Sequence, residues 1–261
     1  MLTPASQAEK QLEAQMRCEL ESNCGVVEET VRRTLISLQT GRDMVTKKTL
    51  AAIPDIPSLK KLSQSLAMLD AIMSPEWDYR YYSFNSKWAA GEMMASMRNG
   101  CGDEYFILFN PQGAIMKGFA HESAMSPWSN DSEQVWPGVL DEVPNEFAEF
   151  LTEPAFSITA TTFCIWRRSA DASWQTGQIN YPEEEDPDGS EDLLLLLNGD
   201  PATYQQFAEE YYECSIDLHA VRSVYEHQPL TAEIINRLNP EVSLESLGSD
   251  LKEIAYRIGD I

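Results

Sequence analysis

The chain has 261 residues, 43% of them apolar, and a formal net charge of −23 at pH 7. This length and apolar content predict a folded protein with a substantial core and exclude wholesale disorder. So negative a surface repels nucleic-acid phosphates and anionic membranes and attracts basic proteins, so we expect neither a nucleic acid nor a membrane as partner.

The N-terminal part of the chain differs from the rest in charge and pattern. Residues 1–60 carry eight basic and eight acidic side chains, so the net negative charge belongs entirely to residues 61–261. Apolar spacing predicts helices at 5–22 and 26–40, and two prolines in residues 51–57 are typical of a linker. We therefore expect a helical N-terminal extension over 1–57, a candidate for homo-oligomer formation, and an acidic core domain over 58–261.

The first half of the core domain predicts one long helix followed by paired strands. A stripe of leucines spaced three and four apart indicates a helix that is capped by Ser58 and ends before Pro75. Residues 78–85 are aromatic and predict a strand, whereas residues 87–98 predict a short helix. Residues 103–119 predict a β-hairpin at the buried centre of a sheet, because apolar runs flank the turn Asn110-Pro111-Gln112-Gly113.

The second half predicts another hairpin and then mostly helices. Residues 161–168 and 174–181 are rich in β-branched and aromatic residues, which favours two strands. Asp200 followed by Pro201, and Asp217 farther along, are typical helix caps. Because the strands cluster and do not alternate with helices, the pattern predicts an α+β fold, an antiparallel sheet of about five strands flanked by helices.

Acidic residues are concentrated between Gly118 and Val221, where 21 of them accompany only two basic residues, Arg167 and Arg168. Solubility alone explains such a surface, and a surface made for a basic protein partner is the alternative. Aromatic side chains inside an acidic rim are typical of protein-binding sites, although tryptophan is also common in cores. The candidate partner-binding residues are Trp128, Asp131, Glu133, Trp136, Glu184, Asp186 and Asp188.

No catalytic, phosphate-binding or dinucleotide motif occurs, so we expect no cofactor and no metal ion. His121 and Glu122 are the candidate catalytic pair, because a histidine beside a carboxylate can act as a general base. Cys101 lies in a glycine-rich loop and is a candidate nucleophile, although no base stands beside it in the sequence. Glu184, Asp186, Asp188 and Gly189 match positions 1, 3, 5 and 6 of a calcium-binding EF-hand loop, but Leu195 occupies position 12, where the bidentate glutamate belongs.

The cysteines, the N-terminus and the apolar runs predict that the protein is located in the cytoplasm. The five cysteines are odd in number and form no CxxC pair, which predicts reduced thiols in a cytoplasm. The N-terminus is polar, unlike a signal peptide, and the longest apolar run, at 193–197, is too short to span a bilayer.

The sequence VPNEFAEFL at residues 143–151 resembles the LPxxYxxFL element of the SMI1/KNR4 superfamily. That resemblance implies an α+β fold with a mixed sheet. It also implies a relationship to bacterial immunity proteins that neutralise secreted toxins, often nucleases. The chain departs from the family in that most predicted strands precede the element, and no functional residue carries over.

Three functions stay open on the sequence. The first is a non-enzymatic acidic binding protein, of an immunity or regulatory type, for a basic protein. The second is a small hydrolase-like enzyme with its site at His121 and Glu122. The third is a structural protein that associates with itself through residues 1–57.

Overall fold

A computed structural model of the protein describes residues 45–129 and 133–259. Its centre is a five-stranded sheet in which the strands follow one another in chain order and every neighbouring pair is antiparallel. The predicted α+β architecture is therefore confirmed. The strands are β1 (Tyr82–Ala89), β2 (Glu92–Arg98), β3 (Glu104–Asn110), β4 (Gly113–Phe119) and β5 (Phe163–Arg168).

Strands β3 and β4 form the predicted hairpin, and β3 is the middle strand of the sheet. The side-chain oxygen of Asn110 accepts hydrogen bonds from the backbone N–H groups of Gln112 at 3.0 Å and Gly113 at 3.1 Å. Both strands are buried along nearly their whole length. The hairpin is thus confirmed as the buried centre of the sheet.

The predicted helix over residues 87–98 is wrong. Gly91, with φ of +81°, turns the chain after β1, and β2 then pairs with β1 on one side and with β3 on the other. The methionine and alanine residues of β2 favour a helix in isolation. Pairing along both edges and burial of the four consecutive residues 94–97, on both faces of the sheet, outweigh that preference, as tertiary context often does for strands.

Only the first half of the second predicted hairpin is a regular strand. Residues 174–181 meet β5 at one bridge, where Trp166 and Gln175 exchange backbone hydrogen bonds of 2.9 and 2.8 Å. After this bridge the chain leaves the sheet and lies against residues near Gly138, whose carbonyl oxygen comes within 1.9 Å of the place where a Cβ on Gly177 would stand. The prediction of a strand over 174–181 is therefore wrong beyond the bridge.

Helices cover one face of the sheet. The leucine stripe of the long helix, Ile56–Met73, is buried as predicted, and this helix lies against β1. It begins earlier than predicted because Asp55, not Ser58, is the cap: its carboxylate accepts the Ser58 N–H at 2.9 Å. The helices are α1 (Val45–Ala52), α2 (Ile56–Met73), α3 (Ser190–Leu193), α4 (Pro201–Tyr211), α5 (Leu218–Tyr225), α6 (Ala232–Leu238) and α7 (Gly248–Ile254).

Two of the later helices begin where the sequence predicts. The carboxylate of Asp200 accepts the backbone N–H of Ala202 at 2.9 Å, with Pro201 in the first turn of α4. The carboxylate of Asp217 accepts the backbone N–H of His219 at 2.8 Å at the start of α5. Both caps are therefore confirmed.

An irregular segment covers the opposite face of the sheet and forms a second core. Phe147, Phe150 and Phe156 are buried there with side chains of the sheet, including Phe106 and Trp166. The stretch that resembles the LPxxYxxFL element lies in this segment, and its two phenylalanines are core residues. The segment contains three short 3₁₀ turns, Asn145–Phe147, Phe150–Thr152 and Pro154–Phe156.

Residues 1–44 lie outside the described residues, so the helices predicted at 5–22 and 26–40 stay predictions. Ile53, which precedes the predicted domain boundary at residue 57, is buried in the same core as α2. The indole of Trp174 donates to the carbonyl oxygen of Pro54 at 2.7 Å. No helix within residues 45–129 and 133–259 has both the length and the apolarity that crossing a membrane requires.

Candidate functional site

Most candidate residues lie at one end of the sheet. The start of β1, the end of β2, the start of β3 and the end of β4 meet there, since Tyr82 pairs with Met97, Met97 with Tyr105 and Tyr105 with Gly118. The acidic loop reaches the same end, because the Thr162 hydroxyl, next to β5, donates to the carbonyl oxygen of Asp188 at 2.7 Å. We call residues 74–81, 99–103, 120–128 and 183–189 together the loop end.

His121 belongs to a chain of hydrogen bonds at the loop end. Its Nδ1 lies 2.6 Å from Oδ1 of Asp103, and the same oxygen accepts the His121 backbone N–H at 2.8 Å. The other oxygen of Asp103 accepts the side-chain amide of Asn99 at 2.8 Å. The largely buried carboxylate thus orients an imidazole that is 37% exposed, and an oriented imidazole can transfer protons.

The other two candidate catalytic residues do not complete a site. The Glu122 carboxylate lies 3.8 Å from Nε2 of His121 and is 86% exposed. Cys101 is disulfide-bonded, so the prediction of a free thiol there is wrong. Cys164 is free but buried in β5, where desolvation raises its pKa to about 12. Across the described ranges, no group of three or more metal-ligating side chains is placed to hold an ion.

The two candidate tryptophans have different surroundings. Trp128 is 62% exposed, although its ring packs edge-on against Phe119 with centroids 4.7 Å apart. Trp136 is half-buried and packs against the second core. Glu133 is exposed, and Asp131 lies outside the described residues. Trp128 is therefore open to a partner, whereas Trp136 is chiefly a packing residue.

The acidic loop is exposed where it begins and buried where it ends. Glu184 and its two neighbours are exposed, but Asp188 is only 2% exposed and accepts the Ser190 backbone N–H at 3.0 Å. The Asp186 carboxylate accepts two backbone N–H groups in the first turn of α3, at 3.1 and 3.2 Å. Desolvation raises the pKa of both aspartates, and the nearby charge of Asp188 raises that of Asp186 further. Of the predicted partner-binding residues Glu184, Asp186 and Asp188, only Glu184 is exposed.

Two acidic segments that are distant in the chain lie against each other. The Met125 backbone N–H donates to the carbonyl oxygen of Pro187 at 3.1 Å, and the Trp136 indole donates to that of Asn180 at 3.1 Å. These bonds bring the exposed glutamates 183–185 to the same end of the sheet as Trp128 and Glu122. The structure therefore brings together two of the acidic regions that the sequence presents separately.

One buried charge in β4 was missed by sequence reasoning. The Lys117 side chain is fully buried, and its Nζ lies 3.0 Å from Oε1 of Glu104 and 2.7 Å from the carbonyl oxygen of Ala160. Desolvation lowers the pKa of Lys117. Its sequence signal is a single lysine inside the otherwise apolar strand GAIMKGF. Both charged groups of this pair are occupied in holding β3, β4 and the irregular segment together.

A second missed charge fixes the start of β1. Asp70 is fully buried near the end of α2, and its Oδ2 accepts the backbone N–H groups of Tyr81 and Tyr82, both at 2.8 Å. Its Oδ1 accepts the Tyr212 hydroxyl at 3.3 Å. Desolvation raises the pKa of Asp70 to about 6. The signal in the sequence is an aspartate within the apolar helical stretch LAMLDAIM.

Comparison of the chain with protein-family models gives no match, and comparisons with curated proteins and with solved structures give no significant match.

Proposed function

We propose that the protein is a non-enzymatic binding protein, of a regulatory or immunity type, whose acidic loop end binds a basic protein. The exposed indole of Trp128 carries this proposal, because it lies at the same end of the sheet as the exposed Glu122 and the exposed glutamates 183–185. Tryptophan is enriched among the residues that contribute most of the binding energy at protein interfaces. A solvated tryptophan among acidic groups suits a partner with arginine or lysine side chains.

The charge and the indole have separate roles in this proposal. The acidic side chains attract a basic partner and raise its association rate, an effect that salt screens over about 10 Å at 0.1 M ionic strength. The indole supplies contact area that loses its water on binding, and salt changes this contribution to the affinity little. The disulfide at Cys101 favours an oxidising compartment over the cytoplasm that the sequence predicts. Neither the charge nor the indole needs a cytoplasmic location for its role.

The test measures binding of the full chain to an arginine-rich peptide by titration calorimetry. The indole is removed by Trp128→Ala, and the loop charge by the triple variant E183Q/E184Q/E185Q. The matched control is E233Q/E241Q/E245Q, which neutralises three exposed glutamates on and near α6 and α7. Both triple variants change the net charge equally, so a difference between them reports position.

We expect Trp128→Ala to weaken binding about tenfold or more at every salt concentration, as for an interface hot spot. We expect the loop triple variant to weaken binding at low salt much more than the control triple variant does. Equal effects of the two triple variants, together with no effect of Trp128→Ala, would show that the acidity serves solubility alone.

A second candidate function rests on the 2.6 Å contact between His121 and Asp103, which suits a general base in a hydrolase-like enzyme. Hydrolysis of chromogenic esters and phosphodiesters by the native chain would favour this function, provided that His121→Gln abolishes the hydrolysis.

Self-association through residues 1–57 stays a prediction, which light scattering with and without that segment tests.

A further inference from the structure

Two more exposed aromatic side chains lie at the loop end, at the corner of the sheet opposite Trp128. Trp77 is 55% exposed and Tyr79 is 54% exposed. Both belong to the short 3₁₀ turn Trp77–Tyr79 that leads from α2 into β1. In residues 45–129 and 133–259, Trp77, Tyr79 and Trp128 are the large aromatic side chains exposed to this extent.

The turn that carries Trp77 and Tyr79 is held in place by buried and half-buried groups. The Arg80 guanidinium donates to the carbonyl oxygens of Ser74 at 2.8 Å and Pro75 at 3.0 Å and pairs with Asp250. The Tyr211 hydroxyl approaches the Tyr79 carbonyl oxygen at 3.5 Å. A turn held in this way presents its aromatic rings without a large ordering cost on binding.

The charge around the turn is negative. Glu76, Asp78 and Glu213 are exposed, and Glu213 lies two residues after Tyr211, the last residue of α4. Arg80, the cation within the turn, is 9% exposed and occupied by the contacts just described. Exposed aromatic rings with neighbouring carboxylates attract guanidinium and ammonium groups through both charge and ring faces.

Sheet geometry sets the separation of the two aromatic corners. The turn at 77–79 leads into β1, and Trp128 packs on Phe119 at the end of β4. Three strand spacings of about 4.8 Å each separate β1 from β4 in the sheet. Trp128 belongs to the irregular layer and the turn to the helical layer, which brings the separation to roughly 15–20 Å. Arg98 lies between them, 3.9 Å from Glu104 and over the ring of Phe106.

We propose that the binding surface extends across the loop end from Trp128 to Trp77 and Tyr79, and that it takes an extended, arginine- and lysine-rich segment of the partner. This inference rests on the proposed function and adds to it a second aromatic anchor and the form of the ligand. An extended chain rises about 3.3 Å per residue, so a segment of about six residues reaches both anchors.

Two arginine-rich peptides distinguish one anchor from two. A peptide of about twelve residues spans both corners, whereas one of about four residues reaches a single corner. Each is titrated against the native full chain, Trp128→Ala, and the double variant W77A/Y79A. Ile258→Ala is the control, because Ile258 is also 55% exposed and lies outside the loop end. Thermal unfolding of each variant verifies that the fold is retained.

For the long peptide, we expect Trp128→Ala and W77A/Y79A each to weaken binding about tenfold or more. We expect the affinity advantage of the long peptide over the short one to collapse in either variant, because the second contact is lost. Ile258→Ala should change neither affinity.

An unchanged long-peptide affinity in W77A/Y79A, with the loss in Trp128→Ala retained, would overturn the second anchor and leave the proposed function standing. An unchanged affinity in both variants would overturn both proposals. The same loss for the short and long peptides in W77A/Y79A would also overturn the extended segment, because one corner would then account for all binding.

Discussion

The buried carboxylate of Asp70 makes a quantitative prediction about stability and pH. Asparagine has nearly the same shape, and in Asp70→Asn its oxygen can accept the two backbone N–H groups of Tyr81 and Tyr82 that the carboxylate now accepts. Its amide can donate to the oxygen of the Tyr212 hydroxyl, which can act as donor or acceptor. We therefore expect Asp70→Asn to fold, with an unfolding free energy within about 1 kcal/mol of the native value at pH 8.

The magnitude at lower pH follows from linkage between protonation and folding. Burial raises the pKa of Asp70 from 3.8 to about 6, so the folded state binds a proton more tightly than the unfolded state. The unfolding free energy of the native chain therefore increases as pH falls from 8, and one such group contributes about 1.4 kcal/mol by pH 5. Asparagine does not titrate, so Asp70→Asn lacks this contribution.

Urea unfolding followed by tryptophan fluorescence at pH 5 and at pH 8 measures the effect. The useful quantity is the native value minus the Asp70→Asn value at each pH, because other titrating groups cancel in it. That difference should grow by about 1.4 kcal/mol from pH 8 to pH 5. Asp70→Ala is the control for lost hydrogen bonds, and it should cost about 2 kcal/mol or more at both pH values.

A difference that stays constant between pH 5 and pH 8 would refute the reasoning. It would mean that the carboxylate stays ionised in the folded state, so that its three hydrogen bonds outweigh desolvation. A difference that grows toward pH 8 instead would mean that the pKa of Asp70 is lowered by folding.

Three further predictions concern other buried groups. Lys117→Met should lower the free energy of unfolding, measured in urea, by about 3 kcal/mol, because it leaves the Glu104 carboxylate without its buried partner. The double variant K117M/E104Q should recover part of that loss, and equal stability of the native chain and Lys117→Met would contradict the prediction. Gly177→Ala should cost about 1–3 kcal/mol by overpacking, since its Cβ would meet a backbone carbonyl oxygen at 1.9 Å, whereas Gly248→Ala, with open space, should not destabilise; similar unfolding midpoints would contradict this. Desolvation raises the pKa of Asp186, so stability should fall as pH rises from about 4 toward neutrality, and Asp186→Asn should show a smaller fall in unfolding midpoint over that range; an equal fall would assign it to other groups.

Elements that depend on short-range interactions follow from the sequence. The turn at Asn110 and the caps at Asp200 and Asp217 were predicted because each depends on side chains that bond to backbone within three residues. The leucine stripe of α2 is likewise a local periodicity. Strand β2 was predicted as a helix because its pairing partners lie outside the segment, and only the assembled sheet supplies them.

Much of the candidate site depended on tertiary structure. The charge pattern indicated an acidic surface after residue 118, but it did not show that Trp128 is exposed while Trp136 packs on the core. It did not show that Asp188 is buried. Exposure is set by which segments cover a side chain, and here the covering segments come from distant parts of the chain.

The amino-acid sequence alone determined the fold class, the central hairpin, the caps of α4 and α5 and the net negative charge, because these depend on composition and on neighbours within a few residues. Only the tertiary structure decided which charges are buried, as for Asp70 and Lys117, and which aromatic residues meet at one end of the sheet. The physical reason is that burial and proximity are properties of strand pairing and of segments packed over one another. Trp77 and Trp128 are 51 positions apart in the sequence, and strand pairing places both at the loop end.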